Sequence, residues 1–144
     1  MDGMDPNNPP PKQTRVTLTS WEYSDPIGVP HPDTVELAIK IRNNSSVALD
    51  GTVIQVEAQW LEGLQSRKNS AMWGERERVG KPLTRSIAPN GREIVILPID
   101  ISAKMKTLAA SKRWPWSLRV FIVVRNSGKL IASDRLELPI TPGD

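Results

Sequence analysis

Residues 35–60, VELAIKIRNNSSVALDGTVIQVEAQW, decide the fold. Val35, Leu37, Ile39 and Ile41 alternate with Glu36, Lys40 and Arg42, with Ala38 between them. After the polar run 43–46 and the turn signal Asp50-Gly51, Ile54, Val56, Ala58 and Trp60 alternate with Gln55, Glu57 and Gln59. A strand turns successive side chains to opposite faces, so each run has one apolar and one polar face. Two such strands joined by a short polar connection predict an antiparallel sheet with one side against a core.

Working outward, the same punctuation repeats. Residues 14–23, TRVTLTSWEY, predict a first strand, with a bulge near Ser20 to reconcile Val16 and Leu18 with Trp21 and Tyr23. Residues 25–33, DPIGVPHPD, hold three prolines and a glycine and read as loop, with His31 an exposed loop residue. Residues 61–82 lack a clean period and are long for a structureless loop, so a concealed edge hairpin is expected, with turns near Asn69-Ser70 and Gly74. Residues 83–87 predict a short strand, and Ala88-Pro89-Asn90-Gly91 a turn with Gly91 at positive φ. Residues 92–101, REIVILPIDI, are apolar on both parities, as in a strand covered on both sides, and Pro98 assigns an edge or an interruption.

Residues 102–112, SAKMKTLAASK, favour a helix capped by Ser102. Met105, Leu108 and Ala109 form its apolar stripe, and Lys104, Lys106 and Lys112 its wet side. Residues 116–125, WSLRVFIVVR, predict a strand with Trp116, Leu118, Val120, Ile122 and Val124 inward. A three-residue turn, Asn126-Ser127-Gly128, leads to a last strand with Leu136, Leu138 and Ile140 inward and a bulge at Asp134. Seven strands, or eight to nine with the hidden hairpin, and one short helix before the sixth core strand predict an all-β immunoglobulin-like Greek-key sandwich. The expected organisation is a disordered, proline-rich tether at 1–13, one domain at 14–141 and a tail at 142–144.

The segment IAPNGREIV at 87–95, between a polar and an apolar strand, is similar to a turn found in bacterial extracytoplasmic immunoglobulin-like and fibronectin-like β-sandwich accessory domains. Residues 35–60 resemble their second and third strands. The resemblance implies an accessory or interaction role in the cell envelope and brings no site residues with it. The long 61–82 segment and the lysine-bearing helix depart from the common pattern.

Composition bounds the chemistry. With 144 residues a single core can form unaided. There is no cysteine and one histidine, so thiol catalysis, disulfides and a Ser-His-Asp triad are not expected. No apolar run reaches the ~18–20 residues of a bilayer span. The N-terminus lacks the basic and apolar regions of a signal peptide, and the chain reads as a fragment of a longer protein. Glu75 and Glu77, two apart among arginines, read as ion-paired surface, and Asp25, His31, Asp33 and Glu36 lack metal-ligand spacing. No cofactor is expected, and the chain is read as not an enzyme.

Net charge is +3, but residues 1–36 carry 2 basic and 6 acidic groups, so the rest is net +7. Between Asp100 and Asp134 there is no acidic residue, while Lys104, Lys106, Lys112, Arg113, Arg119 and Arg125 occur, and Arg67, Lys68, Arg76, Arg78 and Lys81 extend the set. Such a patch suits an acidic protein or anionic ligand; the scarcity of nearby aromatics argues against single-stranded nucleic acid. Of five tryptophans, Trp60 and Trp116 have inward parity, Trp21 is undecided, and Trp73 and Trp114 have no evident buried place. The expected binding residues are therefore Trp73, Arg76, Arg78 and Lys81 from the long segment, with Lys104, Lys106, Lys112, Arg113 and Trp114 from the helix and its exit. The expected partner is another protein or the rest of the parent chain. The alternative is a carbohydrate-binding module that stacks sugars on Trp73 and Trp114.

Overall fold

A computed structural model describes residues 16–22, 34–64 and 66–140. The predicted tether, the 25–33 loop with His31, and the tail lie outside the described residues. The elements are β1 (Val16–Glu22), β2 (Thr34–Asn43), β3 (Leu49–Leu64), β4 (Arg67–Trp73), β5 (Glu77–Arg78), β6 (Leu83–Ile87), β7 (Arg92–Asp100), α1 (Ile101–Ala109), β8 (Arg113–Asn126) and β9 (Lys129–Pro139). All pairings are antiparallel. One sheet has the order β1-β2-β7; the other runs β4-β3-β8-β9, with β5 and β6 also pairing along β3. The all-β expectation holds, but the two strands of residues 35–60 do not pair in one sheet: β2 lies between β1 and β7, and β3 beside β8. The short polar connection therefore crosses from one sheet to the other, and their period-two apolar faces meet across the core. Leu37, Ile39 and Ile41 of β2 join Ile54, Val56, Ala58 and Trp60 of β3 and Leu118, Val120, Ile122 and Val124 of β8 in one core. Each such side chain contributes about 1.5–3 kcal/mol when fully buried.

The hidden structure in 61–82 is β4 and β5, but they do not form the expected hairpin with each other: each pairs with β3. The turns differ from expectation: β3 continues to Leu64, so Asn69-Ser70 falls within β4. Gly63 permits that pairing, because a Cβ there would stand 2.7 Å from the Ala71 Cα. β1 pairs with β2 without a register shift, so no bulge occurs near Ser20 and Trp21 faces outward. In β9 the irregularity lies between the Val124–Ala132 and Arg125–Leu130 pairs rather than at Asp134. Asp134 is opposite Ile122 on the inward parity and accepts a 2.6 Å bond from the Ser20 hydroxyl, linking an edge of each sheet. β7 is an edge strand, as Pro98 required, but its outer face is open, with Ile94 and Ile96 exposed.

Two turns resolve through positive φ. At the β6–β7 turn Asn90 takes the left-handed position (φ 57°) in place of Gly91, whose N–H bonds the Ala88 carbonyl. The β8–β9 loop has two residues, Ser127 and Gly128, both at positive φ, matching the twist of the flanking strands. Around α1, Asp100 rather than Ser102 is the N-cap: its carboxylate accepts from the Ala103 N–H at 3.0 Å and the Ser102 hydroxyl at 2.9 Å. These bonds, the Ala103 amide first, hold the Asp100 carboxyl below its ordinary 3.8. The cap's support for folding is therefore present above the unfolded carboxyl's pKa and is lost as pH falls through the lowered folded value. The buried stripe is Ile101 and Leu108, with Met105 against the core; Ala109 is exposed. No helix among the described residues is long and apolar enough to cross a membrane.

At one end of the layers sits a polar plug. Position 43 continues the inward parity of β2, and Asn43 there is fully buried. Its Nδ2 donates to the carbonyls of Val47 (2.8 Å), Ile87 (3.3 Å) and Ala88 (3.2 Å), while its Oδ1 accepts from the Ser45 N–H (3.0 Å) and hydroxyl (2.7 Å). Its own N–H bonds the Gly91 carbonyl, and the Asn90 N–H bonds that of Ser45. Thr52, buried on the inward parity of β3, bonds the Leu49 carbonyl and accepts from Asn126. An apolar replacement leaves the buried Ile87 carbonyl and several part-buried groups without this partner, and an unsatisfied buried group costs about 1–3 kcal/mol. Asn43→Leu is therefore expected to lower the urea midpoint with a loss of at least ~2 kcal/mol, whereas Asn44→Ala, on the exposed side, is expected to stay within ~1 kcal/mol. Equal effects of the two changes contradict this assignment.

Candidate functional site

The outer face of β3, β8 and β9 is laid out in rows across the strands. Gln59, Arg119 and Glu137 form one row, Glu57, Phe121 and Arg135 the next, and Gln55, Val123 and Ser133 the third. The segment from Trp73 to Arg78 runs along the edge of β3 opposite β8, beside these rows. It is held there by the Gly74 N–H on the Trp60 carbonyl, by Gln59 Nε2 on the Gly74 carbonyl (2.9 Å), and by the Val79 N–H on the Val56 carbonyl.

Two arginines complete the face. The Arg119 guanidinium lies 3.9 Å from the Trp73 ring centre and pairs with Glu137 at 2.8 Å. Arg76 lies 3.7 Å from the Phe121 ring centre and pairs with Glu57 at 2.8 Å. Glu57 is held in turn by Gln55 Nε2 at 2.9 Å. A guanidinium flat on an aromatic face retains its in-plane donors, so both groups are stacked and aimed at once. Beside Phe121 a shallow depression of about 470 Å³ is lined by Arg76, Phe121, Val123, Ser133, Asp134 and Arg135. Arg135 forms no ion pair among the described residues, and the depression brings it together with Asp134 and the stacked, paired Arg76.

The predicted binding residues separate into groups. Trp73 and Arg76 meet on this face, with Arg119 and Phe121 as partners. Arg78 and Lys81 are exposed along the same edge. Lys104, expected on the wet side of α1, folds inward: it pairs with Glu62 (3.2 Å) and Glu77 (3.3 Å) and sits over the Trp60 ring. Trp60 Nε1 donates to Glu77 as well, at 3.0 Å. Alternation explains this, since Glu77 pairs with Ala58 and shares its inward parity, which leaves Arg76 and Arg78 outward. Lys106, Lys112 and Arg113 remain exposed, Lys112 in the left-handed conformation just beyond the helix and Arg113 on the Glu62 carbonyl. With Lys104 sequestered and Arg119 paired, the expected free cationic surface from helix to sheet does not form.

Trp114 is not on the surface. It is 9% exposed, and its Nε1 donates to the Ile140 carbonyl at 3.3 Å. A bulge between the Leu61–Ser117 and Glu62–Pro115 pairs falls at Trp116, which is half-buried and donates to the Leu64 carbonyl. The two-tryptophan sugar platform is therefore absent: one ring is buried and the other has a guanidinium on it. Sequence reasoning missed Phe121, Glu57 and Arg135, whose only signal was a shared outward parity on strands with unknown register. Among the described residues no cluster of His, Asp or Glu is arranged to hold a metal ion.

No protein-family model matches the chain, and no curated protein matches it in sequence. Its fold is similar to parts of several solved structures. A β-glucosidase involved in saponin metabolism from intestinal bacteria matches 90% of this chain and 16% of its own at 12% identity, with a TM-score of 0.54. The β-glucosidase from Listeria innocua, in complex with glucose, matches 89% and 16% at 16% identity, with a TM-score of 0.53. Spo0M, a sporulation control protein from Bacillus subtilis, matches 88% and 49% at 10% identity, with a TM-score of 0.51. The chain thus spans about a sixth of the β-glucosidases' length and about half of Spo0M. The expectation of a chain that is not an enzyme is overturned by these neighbours, since chains carrying this fold include β-glucosidases. At these identities the likeness is one of fold.

The Trp73–Arg119 stack is open to a direct check. Arg119→Ala is expected to raise acrylamide quenching of tryptophan fluorescence and to cost about 1 kcal/mol of stability. In a Trp73→Phe background the rise in quenching is expected to vanish. Unchanged quenching in the single variant contradicts the stack.

Proposed function

We propose that the protein is an interaction or assembly module, an accessory β-sandwich of the immunoglobulin-like Greek-key type, docking another protein or the rest of a longer parent chain. Two facts support the architectural half. The sheets are wholly antiparallel with orders β1-β2-β7 and β4-β3-β8-β9, so the chain passes between layers after β2, after β6 and through α1. The same fold occupies a minor share of much longer β-glucosidase chains.

The observation that carries the functional half is the Arg76–Phe121–Arg135 depression. Its stacked arginine is fixed in advance by Glu57 and Gln55, and its neighbour Arg135 is exposed and without an ion pair among the described residues. Stacked arginines and half-exposed tryptophans are the residue types that anchor protein interfaces, because they bring area and donors with little entropy left to lose. Trp73 at the rim adds apolar area to the same face.

Affinity capture from extracts of the source cells tests the surface. The unaltered chain is expected to retain a defined partner at about 150 mM salt, and the Trp73→Ala/Arg76→Ala double variant, folded by circular dichroism, is expected to lose it. Equal retention of that partner by both proteins removes this face from the proposal.

A further inference from the structure

The opposite side of the molecule carries a second surface, built on the outer face of β1-β2-β7. Alternation places Thr19 and Trp21 of β1, Glu36, Ala38, Lys40 and Arg42 of β2, and Arg92, Ile94 and Ile96 of β7 on that side, with the acidic Glu36 at the far end from the Arg42–Arg92 pair, and the register aligns them across the sheet. One row is Trp21, Ala38 and Ile96; the next is Thr19, Lys40 and Ile94; beyond it Arg42 stands directly opposite Arg92.

Two features of this face oppose folding. Ile94 is 53% exposed, Ile96 44% and Trp21 37%, so three large apolar side chains face solvent around the covered Ala38. Like charges directly opposite each other in an antiparallel pair weaken it. Among the described residues Lys40, Arg42 and Arg92 form no ion pair that offsets the repulsion. Basic residues on an edge strand guard against aggregation, but Arg42 belongs to the central strand β2, where no edge needs guarding. Local conflicts without internal compensation concentrate where a surface serves a partner.

We infer that this face docks an acidic segment of a partner protein, with carboxylates on Arg42, Arg92 and Lys40 and an apolar side chain laid over Trp21, Ile94 and Ile96. A carboxylate bridging the two guanidinium groups converts the repulsive pair into charge-assisted hydrogen bonds. Ala38 is fully covered, so an adjacent apolar residue gains its burial against the exposed parts of Trp21, Ile94 and Ile96. A protein fits this face better than a bilayer, because three apolar side chains lying flat on a sheet cannot reach the acyl region. It also fits better than nucleic acid, which calls for more than one stacking aromatic. The surface is separate from the Arg76–Phe121 face and stands or falls independently of it.

The test titrates the isotopically labelled chain with a short peptide of alternating glutamate and leucine. Backbone shifts are expected on β2 and β7, with affinity falling steeply between about 20 and 200 mM salt. Arg92→Glu is expected to weaken binding by about tenfold or more and also to raise Tm, because Arg42 then faces an opposite charge. A merely structural arginine pair predicts the Tm rise alone. Ile96→Ser is expected to weaken binding without the salt dependence changing. The proposal is overturned if Arg92→Glu binds the peptide as well as the unaltered chain, or if the shifts map to Arg76 and Arg135. It is also overturned if phosphatidylserine vesicles or a single-stranded oligonucleotide bind this face and the peptide does not.

Discussion

Asn43 is the residue on which the two layers depend. The inward face of β2 reads Val35, Leu37, Ile39, Ile41 and then Asn43, so an apolar series ends in an amide at full burial. An amide has two donors and an acceptor with two lone pairs, and here all are engaged by the chain segments that leave β2 and enter β7. The sheets touch through non-directional apolar contacts, which specify area but tolerate sliding. The bonds of Asn43 are directional, and they tie the β2–β3 connection to the β6–β7 turn at one register. Thr52 and Asn126 repeat the device one strand away. Every buried side-chain polar atom among the described residues has a partner, which makes this network a source of order rather than of strain.

At the other end of the core, Lys104 does a related job with charge. It reaches from α1 to Glu62 on β3 and Glu77 on β5 and lies against Trp60. With Lys104 16% exposed, loss of this group leaves Glu62 and Glu77 facing each other without their cation. The same ties fix where β5 lies, and with it Arg78 at its end and Arg76 just before its start. Architecture therefore decides which cations are free. Lys104 and Arg119 are engaged by the fold, while Arg135 on one face and Lys40, Arg42 and Arg92 on the other form no ion pair among the described residues.

Much of the fold was legible from period alone, because an oily face in residues 35–60 can be buried only by a second layer. Pro98 allowed either an edge or an interrupted pairing for β7, and the structure takes the edge, while strands within 61–82 were expected from the improbability of so long a structureless loop. Asn43 was legible in principle, since it continues the parity of four buried residues, but polarity assigned it to the loop. Lys104 escaped because helix periodicity gives a direction and says nothing of a carboxylate waiting on another strand. The candidate site was the least legible part. Trp73 and Arg76 stand out by composition, yet their partners Arg119 and Phe121 lie more than forty positions away on a strand whose register no local pattern records. Trp114 was misplaced for a simple reason: a bulge at Trp116 changes which tryptophan the core receives.

The claim that the Asn43 junction locks the two layers can be put to native-state hydrogen exchange. The amide protons of Asn43, Ser45, Asn90 and Gly91 all lie in that junction. The account predicts that the Asn43 and Asn90 amides exchange only through global unfolding, with the same denaturant dependence as the core amides of β3 and β8. Exchange of these two amides through a smaller opening, while β3 and β8 stay protected, contradicts it.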